Sequence, residues 1–426
     1  MFSRTHSSSS LGHELGEIAR LSAPVVLTQL GMMTMGVVDT LMVGRLGVTE
    51  LAASALANTW QWTWMSLGFG IVLGIDPLIS QAHGRGDGAS TALALQRGIV
   101  LALAISVPIA ALLLLTRAGL IWLGQEPEVA ELAQRYNLLK LPTVACFLVY
   151  SALRQYLQGR TLMAAATWVI WIANVVHVAL NWALIFGHLG LPALGIEGAA
   201  IASSISMALL VAGLAAWVRV FRLHEGAWRP WDVACLDVHG LLAAARLGVP
   251  VGLTVAFESW AFSVSTLMAG WLGRSALAGH QIVLNLAALS FMVPLGISQG
   301  AATRVGNLIG AGDLPAMRNA QRAALLLGVA VMSLSALAFT LWRQQLPRLY
   351  SSDPAVLLIA AQVFPLAAAF QLSDGTQVVA SGLLRGMGRP DASAVVNFVG
   401  YYLLALPLAY ALAFRWGYGQ IGRAHV

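Results

Sequence analysis

Long apolar runs separated by short polar breaks organise this chain. Crossing a bilayer as a helix takes ~20 predominantly apolar residues, and eleven runs are long enough. They lie at 18–43, 51–80, 93–116, 131–157, 162–187, 196–219, 243–271, 277–303, 319–342, 355–384 and 392–414. The breaks carry turn signals, among them Gly84-Arg85-Gly86-Asp87, Gln125-Glu126-Pro127, Ser352-Asp353-Pro354 and Gly388-Arg389-Pro390. The longest polar break, 222–242, divides the chain near its middle. The pattern predicts an all-α integral membrane protein.

The two halves repeat. A shift of 226 residues lays Leu21–Asp87 over Leu247–Asp313 without a gap, and about twenty of the 67 pairs are identical. Pro24 meets Pro250, Leu41-Met42-x-Gly44 meets Leu267-Met268-x-Gly270, and Gly84-x-Gly86-Asp87 meets Gly310-x-Gly312-Asp313. Apolar composition alone matches many Leu and Ala by chance, but not Pro, Gly and Asp in register. Six helices per half give both copies the same orientation, so the expected architecture is two parallel-repeat six-helix lobes. Twelve spans are then expected and eleven are visible.

The expected divisions are a cytoplasmic N-terminal tail (1–16), an N-lobe (17–221), a cytoplasmic linker (222–242), a C-lobe (243–419) and a tail (420–426). The last six residues, Ile-Gly-Arg-Ala-His-Val, can be encoded by ATCGGAAGAGCACACGTC, a common sequencing-adapter sequence. The expectation is a non-native tail that truncates the twelfth helix; resequencing the locus checks it. The N-terminus has no short apolar region ending in a cleavage site, so no secretory signal is read.

Composition agrees with the pattern. The chain is 58% apolar and 10% charged, against about 25% charged in soluble domains. The net charge of +6 reflects basic loops rather than nucleic-acid binding. Arginines alternate between loops, about two to one in favour of the side holding Arg4, Arg85, Arg160 and Arg222. By the positive-inside rule that side, with the N-terminus, is cytoplasmic. Cys146 and Cys235 are the only cysteines, too few for a disulfide framework.

Four carboxylates fall inside apolar runs: Asp39, Asp76, Glu258 and Asp374. A carboxylate in a spanning helix costs roughly 2.5–3.5 kcal/mol on insertion scales and usually faces a cavity or an ion path. Asp39, Glu258 and Asp374 lie deep and are candidate cation-coupling residues. A structural carboxylate bonding a neighbouring helix is the plainer reading of each. Asp76, before Pro77 near a span end, has a water-exposed helix-end role as an equal reading. Asn174, His177 and Asn181, spaced by three and four, share one helix face. That stripe marks either a polar cavity or a packing contact. Met35, Trp60, Trp64, Gln281 and Asn285 are candidate cavity residues. Aromatic rings suit cationic ligands, although interfacial anchoring accounts for most of the tryptophans, Trp168, Trp171 and Trp182 included. No Walker loop, Ser-His-Asp pattern or metalloprotease spacing occurs in the sequence.

These residues resemble the multidrug and toxic compound extrusion (MATE) family, in its bacterial, NorM-like, sodium- or proton-coupled branch. The resemblance reaches to about Gly419. It rests on Pro24 with Val38-Asp39-Thr40-Leu41-Met42-x-Gly44, Asp76-Pro77-Leu78-Ile79-Ser80-Gln81 and Asn181-Trp182-x-Leu184-Ile185-Phe186-Gly187. It continues through Pro250 with Glu258, Ala278-Gly279-His280-Gln281-Ile282-x-x-Asn285, Arg304-Val305-Gly306-Asn307 and Asp374-Gly375-x-Gln377. The resemblance implies two lobes around a central cavity and a multi-pass protein of the bacterial inner membrane, working as a monomer. It implies efflux of structurally varied, often cationic drugs in exchange for Na⁺ or H⁺, with no other cofactor and no nucleic-acid partner. In the family the residue matched by Asp39 is a coupling residue of the N-lobe. Those matched by Glu258 and Asp374 form a C-lobe cation site, where Na⁺ is a candidate ligand. Asn181 matches an N-lobe Asn, and many relatives carry a second Asn where this chain has His177. That departure puts N-lobe ion coordination in question and turns the expectation toward protons. Two rival readings are a lipid-linked sugar flippase, which would line its cavity with basic residues, and a membrane-embedded enzyme, which would need a catalytic cluster at a helix end.

Overall fold

The computed structural model describes residues 10–415; the tail expected at 420–426 lies outside them. The described residues form helices and turns only. In chain order the helices are α1 (Leu11–Val43), α2 (Val48–Leu73), α3 (Asp76–Gly84), α4 (Gly88–Leu113), α5 (Thr116–Trp122), α6 (Pro127–Leu139) and α7 (Leu141–Gly159). They continue with α8 (Ala164–Phe186), α9 (Gly195–Val220), α10 (Val238–Trp271), α11 (Arg274–Ala311), α12 (Leu314–Leu341), α13 (Pro354–Gly386), α14 (Asp391–Phe398) and α15 (Leu406–Tyr410). Among the described residues, ten segments are long and apolar enough to cross a membrane, and the bent pair α6–α7 makes eleven. The chain is a multi-pass membrane protein of the expected fold class.

Large apolar side chains face outward along the spans, among them Leu41, Val107, Val175 and Leu334, while the interior is rich in alanine. That is the arrangement lipid favours, because helix association in a bilayer depends on close packing of small residues. Three features depart from the expected runs. The fourth span, expected as one stretch over 131–157, bends by 50° at Lys140, because Pro142 opens α7 and cannot continue the α6 hydrogen-bond ladder. The eleventh span passes through π-helical turns at Val399–Ala405 and Ala411–Arg415 around α15. Asp76, for which a water-exposed end was an equal reading, is fully buried at the start of α3.

The helices form two compact units. The N-unit holds residues 27–256; the C-unit holds 257–415 together with 10–26. The first part of α1 therefore belongs with the C-unit, and the first part of α10 with the N-unit. Glycines at repeat positions explain this. In the N-unit, a Cβ on Gly70 would meet the backbone of Val251 and Gly252, and one on Gly74 that of Leu247 and Gly248. In the C-unit, a Cβ on Gly296 would meet Val26, and one on Gly300 would meet Ser22. Shifting Gly70 and Gly74 by 226 residues gives Gly296 and Gly300. Each half thus offers a glycine groove into which the opening segment of α1 or α10 settles. The N-terminal segment taken as a tail is helical from Leu11, and Glu14 is fully buried against Arg304.

The repeated Gly-x-Gly-Asp motif also has a local cause. Gly86 and Gly312 adopt left-handed backbone (φ 76° and 77°), which costs glycine little. Asp87 then caps α4 by accepting from the Ser90 amide at 2.9 Å, and Asp313 caps α12 by accepting from the Ala316 amide at 3.0 Å. The Ser90 hydrogen bond holds the Asp87 carboxyl below the ordinary carboxylate range. The 222–242 segment is folded onto the N-unit. Tyr156 donates its hydroxyl to the Ala227 carbonyl at 2.7 Å, and Arg160 donates to the carbonyls of Leu223 and Glu225.

Candidate functional site

In the N-unit, α1, α8 and α9 bring a polar cluster together around Asp39, which is 8% exposed. His177 and Asn181, one turn apart on α8, both reach Asp39 Oδ1, from His177 Nε2 at 2.8 Å and Asn181 Nδ2 at 2.7 Å. Ser203 on α9 donates its hydroxyl to Asp39 Oδ2 at 2.9 Å. His177 Nδ1 lies 2.9 Å from the Ser206 hydroxyl. His177 Nε2 also lies 3.0 Å from Asn181 Nδ2. The Asn181 carbonyl oxygen is buried beside the carboxylate without a protein partner. Three donors from two helices hold one carboxylate in a fixed position, a costly arrangement in an apolar span unless it serves a purpose.

Lys140, at the α6–α7 break, is buried in the same region. Its Nζ donates to Asn58 Oδ1 at 2.7 Å and lies 4.9 Å from the Tyr136 ring centre.

The C-unit holds Glu258, half-buried on α10, and Asp374, buried on α13. Tyr401 lies in the π-helical turn after α14. Around them, Gln377 donates to Asn397 Oδ1 at 2.8 Å, and Gln371 bridges Ser290 and Ser335 at 2.7 Å each. Acidic side chains inside apolar spans usually face a cavity or an ion path. No cluster of three or more His, Cys, Asp or Glu suited to a metal occurs among the described residues.

The remaining sequence candidates divide. Asn174 does not reach Asp39; its amide donates to the Gly31 and Ile170 carbonyls at 2.9 Å each, the helix-packing alternative. Met35 is buried. Trp60 donates to the Leu112 carbonyl at 3.1 Å, packs over Gly119 and meets Trp64 edge to face at 5.7 Å. Gln281 is half-buried and Asn285 exposed on α11. Trp168, Trp171 and Trp182 are exposed on α8, as interfacial anchors would be. Sequence reading missed Ser203, Ser206, Tyr136, Tyr401 and Lys140. Serines and tyrosines in apolar helices are too common to stand out. Lys140 had a signal, because it is the only lysine in the chain.

Residues 24–183 and 250–411 match the MatE family model. The chain is 36% identical to the probable multidrug resistance protein NorM of Bradyrhizobium diazoefficiens, over 97% of this chain and 89% of that one. It is 32% identical to the multidrug resistance protein NorM of Aliivibrio fischeri, over 94% of this chain and 87% of that one. Its fold is similar to the crystal structure of the eukaryotic MATE transporter AtDTX14, with a TM-score of 0.90 at 24% identity, covering 97% of this chain and 92% of that one. With the family model spanning most of both halves, the chain belongs to the MatE family.

Proposed function

We propose that this chain is a secondary active multidrug exporter. It moves cationic or amphipathic drugs out of the cell in exchange for Na⁺ or H⁺, by alternating access of its two lobes, and has no enzymatic step. It works as a monomer in the bacterial inner membrane with its N-terminus in the cytoplasm. The observation that carries the reading is a set of carboxylates inside the spans of each unit, buried Asp39 in one and half-buried Glu258 with buried Asp374 in the other, in a chain related along most of its length to proteins named for multidrug resistance.

The mechanism follows from electrostatics. A carboxylate cannot cheaply remain charged and unpaired in low dielectric. It therefore holds a proton, a metal cation or a drug cation, and exclusive occupancy couples the fluxes. A proton arriving at Asp39 Oδ2 finds Ser203, whose hydroxyl can turn from donor to acceptor, while Oδ1 keeps His177 and Asn181. In the C-unit, a monovalent cation would neutralise a charge of Glu258 or Asp374.

The test is ethidium efflux from a pump-deficient bacterium expressing the chain, with and without Na⁺. The expected result is efflux that Glu258→Gln and Asp374→Asn each reduce to background. Well-expressed variants that pump like wild type would overturn the coupling role. His177 carries a separate expectation. His177→Asn should change the pH profile of efflux, because it removes the imidazole in contact with Asp39. Superimposable profiles for His177→Asn and wild type would remove its role.

A further inference from the structure

The segment between the two halves, expected from its sequence to be a polar linker, turns apolar side chains outward. Trp228, Trp231, Val233 and Leu236 are all exposed, Val233 at 84% and Leu236 at 58%. None of the four lies in a spanning helix. The other side of the same segment is closed: Ala227 and Cys235 are buried.

This one-sidedness is built in. Besides the bonds from Tyr156 and Arg160, the Gln96 amide donates to the Arg229 and Pro230 carbonyls at 3.0 and 3.3 Å. Arg97 donates to the Ala234 carbonyl at 3.3 Å and pairs with Asp237 at 3.4 Å. Asp232 accepts from the Ala234 amide at 3.0 Å and so shapes a 3-10 turn at Val233–Leu236. Gly88 comes so close to the Gly226 carbonyl that a side chain there would collide with it. The turn is thus held against α4 with Cys235 inward and Val233 and Leu236 outward.

Arg97 also fixes the depth of the turn. Between Arg97 and Arg117 the chain carries no charged side chain. That stretch measures about 30 Å at 1.5 Å per residue, which matches a hydrocarbon core of about 30 Å. A guanidinium at such a boundary turns out into the headgroup zone, and this one bonds the 3-10 turn. The turn therefore stands at headgroup level, where tryptophan concentrates. The charges suit lipid phosphate. Glu225, Asp232 and Asp237 are each paired with an arginine, so the segment offers no unpaired carboxylate to repel it. Arg219 is exposed where α9 ends.

We propose that residues 227–238 form an interfacial foot of the N-unit, which seats Trp228, Trp231, Val233 and Leu236 among the phospholipid headgroups of one leaflet. The bonds of the segment run to α4 and α7, so foot and N-unit move as one and lipid holds that unit at a fixed depth. The proposal is independent of transport and of the role of any carboxylate.

The test places an environment-sensitive fluorophore at Val233→Cys, and separately at Leu236→Cys, in full-length protein that also carries Cys146→Ser and Cys235→Ala. The protein is held in nanodiscs of phosphatidylethanolamine and phosphatidylglycerol. Each label should be quenched several-fold more by lipid with a nitroxide at acyl carbon 5 than at carbon 12, and shielded from aqueous iodide. A label at Val107→Cys, exposed in the middle of the third span, should give the reverse order of the two lipids. Iodide quenching of either foot label to the level of free dye overturns the proposal. Shielding without any response to the nitroxide lipids would place protein over the segment and also overturns it. So does stronger quenching from carbon 12, which would sink the segment into hydrocarbon. A second arm needs no label. Trp228→Tyr with Trp231→Tyr should lower the share of tryptophan fluorescence that the carbon-5 lipid quenches, and an unchanged share overturns the proposal.

Discussion

Asp39→Ala should destabilise the protein by about 3–5 kcal/mol, because removing the acceptor strands several buried donors at roughly 1–3 kcal/mol each. His177 and Asn181 lose their shared acceptor at Oδ1, and Ser203 loses Oδ2. Of the three, only the Ser203 hydroxyl can rotate to find another partner easily. Asp39→Asn should behave differently. The asparagine carbonyl can take the place of Oδ1, and its amide can donate to a Ser203 hydroxyl turned to accept. Both variants remove the negative charge of the carboxylate, so that loss cancels in the comparison. The expected outcome is a melting temperature clearly lower for Asp39→Ala than for Asp39→Asn in detergent, with efflux lost in both. Equal melting temperatures would mean that the hydrogen bonds around Asp39 contribute little, and that its surroundings matter for charge alone.

The second large effect lies at the start of α1. Glu14 is fully buried and Arg304 grips it through two parallel bonds, Nε to Oε2 at 2.8 Å and Nη2 to Oε1 at 2.7 Å. The Arg304 side chain is 21% exposed, so water screens the pair only in part. Removing one partner of a buried pair leaves an uncompensated charge and costs about 3–5 kcal/mol, whereas replacing both by apolar residues is often close to neutral. Glu14→Met and Arg304→Met should therefore each lower the melting temperature by many degrees, and the double variant should recover most of the loss. A double variant that loses the sum of the two single effects would show that the residues do not act as a pair. The pair fastens the opening turns of α1 onto α11, beside the contacts of Ser22 and Val26 with Gly300 and Gly296.

Much of the architecture was legible because lipid imposes a simple rule. A spanning segment must satisfy its own backbone and present apolar side chains to the bilayer, so length and composition marked the eleven spans. Boundaries were less legible. α1 begins at Leu11, well before the apolar run, because Glu14 buys its burial through a partner 290 residues away. The break at Lys140 lay hidden in an apolar run, since Pro142 is compatible with the first turn of a helix as well as with its interruption.

The repeat shows both sides of the division. It predicted two alike halves, and matched glycines do build alike grooves. It did not place the acids: Asp39 is matched with Ser265 and Glu258 with Met32. The two sites are therefore not copies of each other, and their donors come from elsewhere in each unit. Sequence alone determined that deep carboxylates exist in both halves, because burying a charge in an apolar span is rare enough to be read from one residue. Only the tertiary structure decided that His177, Asn181 and Ser203 meet on Asp39 while Asn174 does not. It also decided that the chain's single lysine is buried against Asn58 and Tyr136. Hydrogen bonds and ion pairs act over a few ångströms between residues far apart in sequence, and only the packing of the helices determines which of them come within that reach.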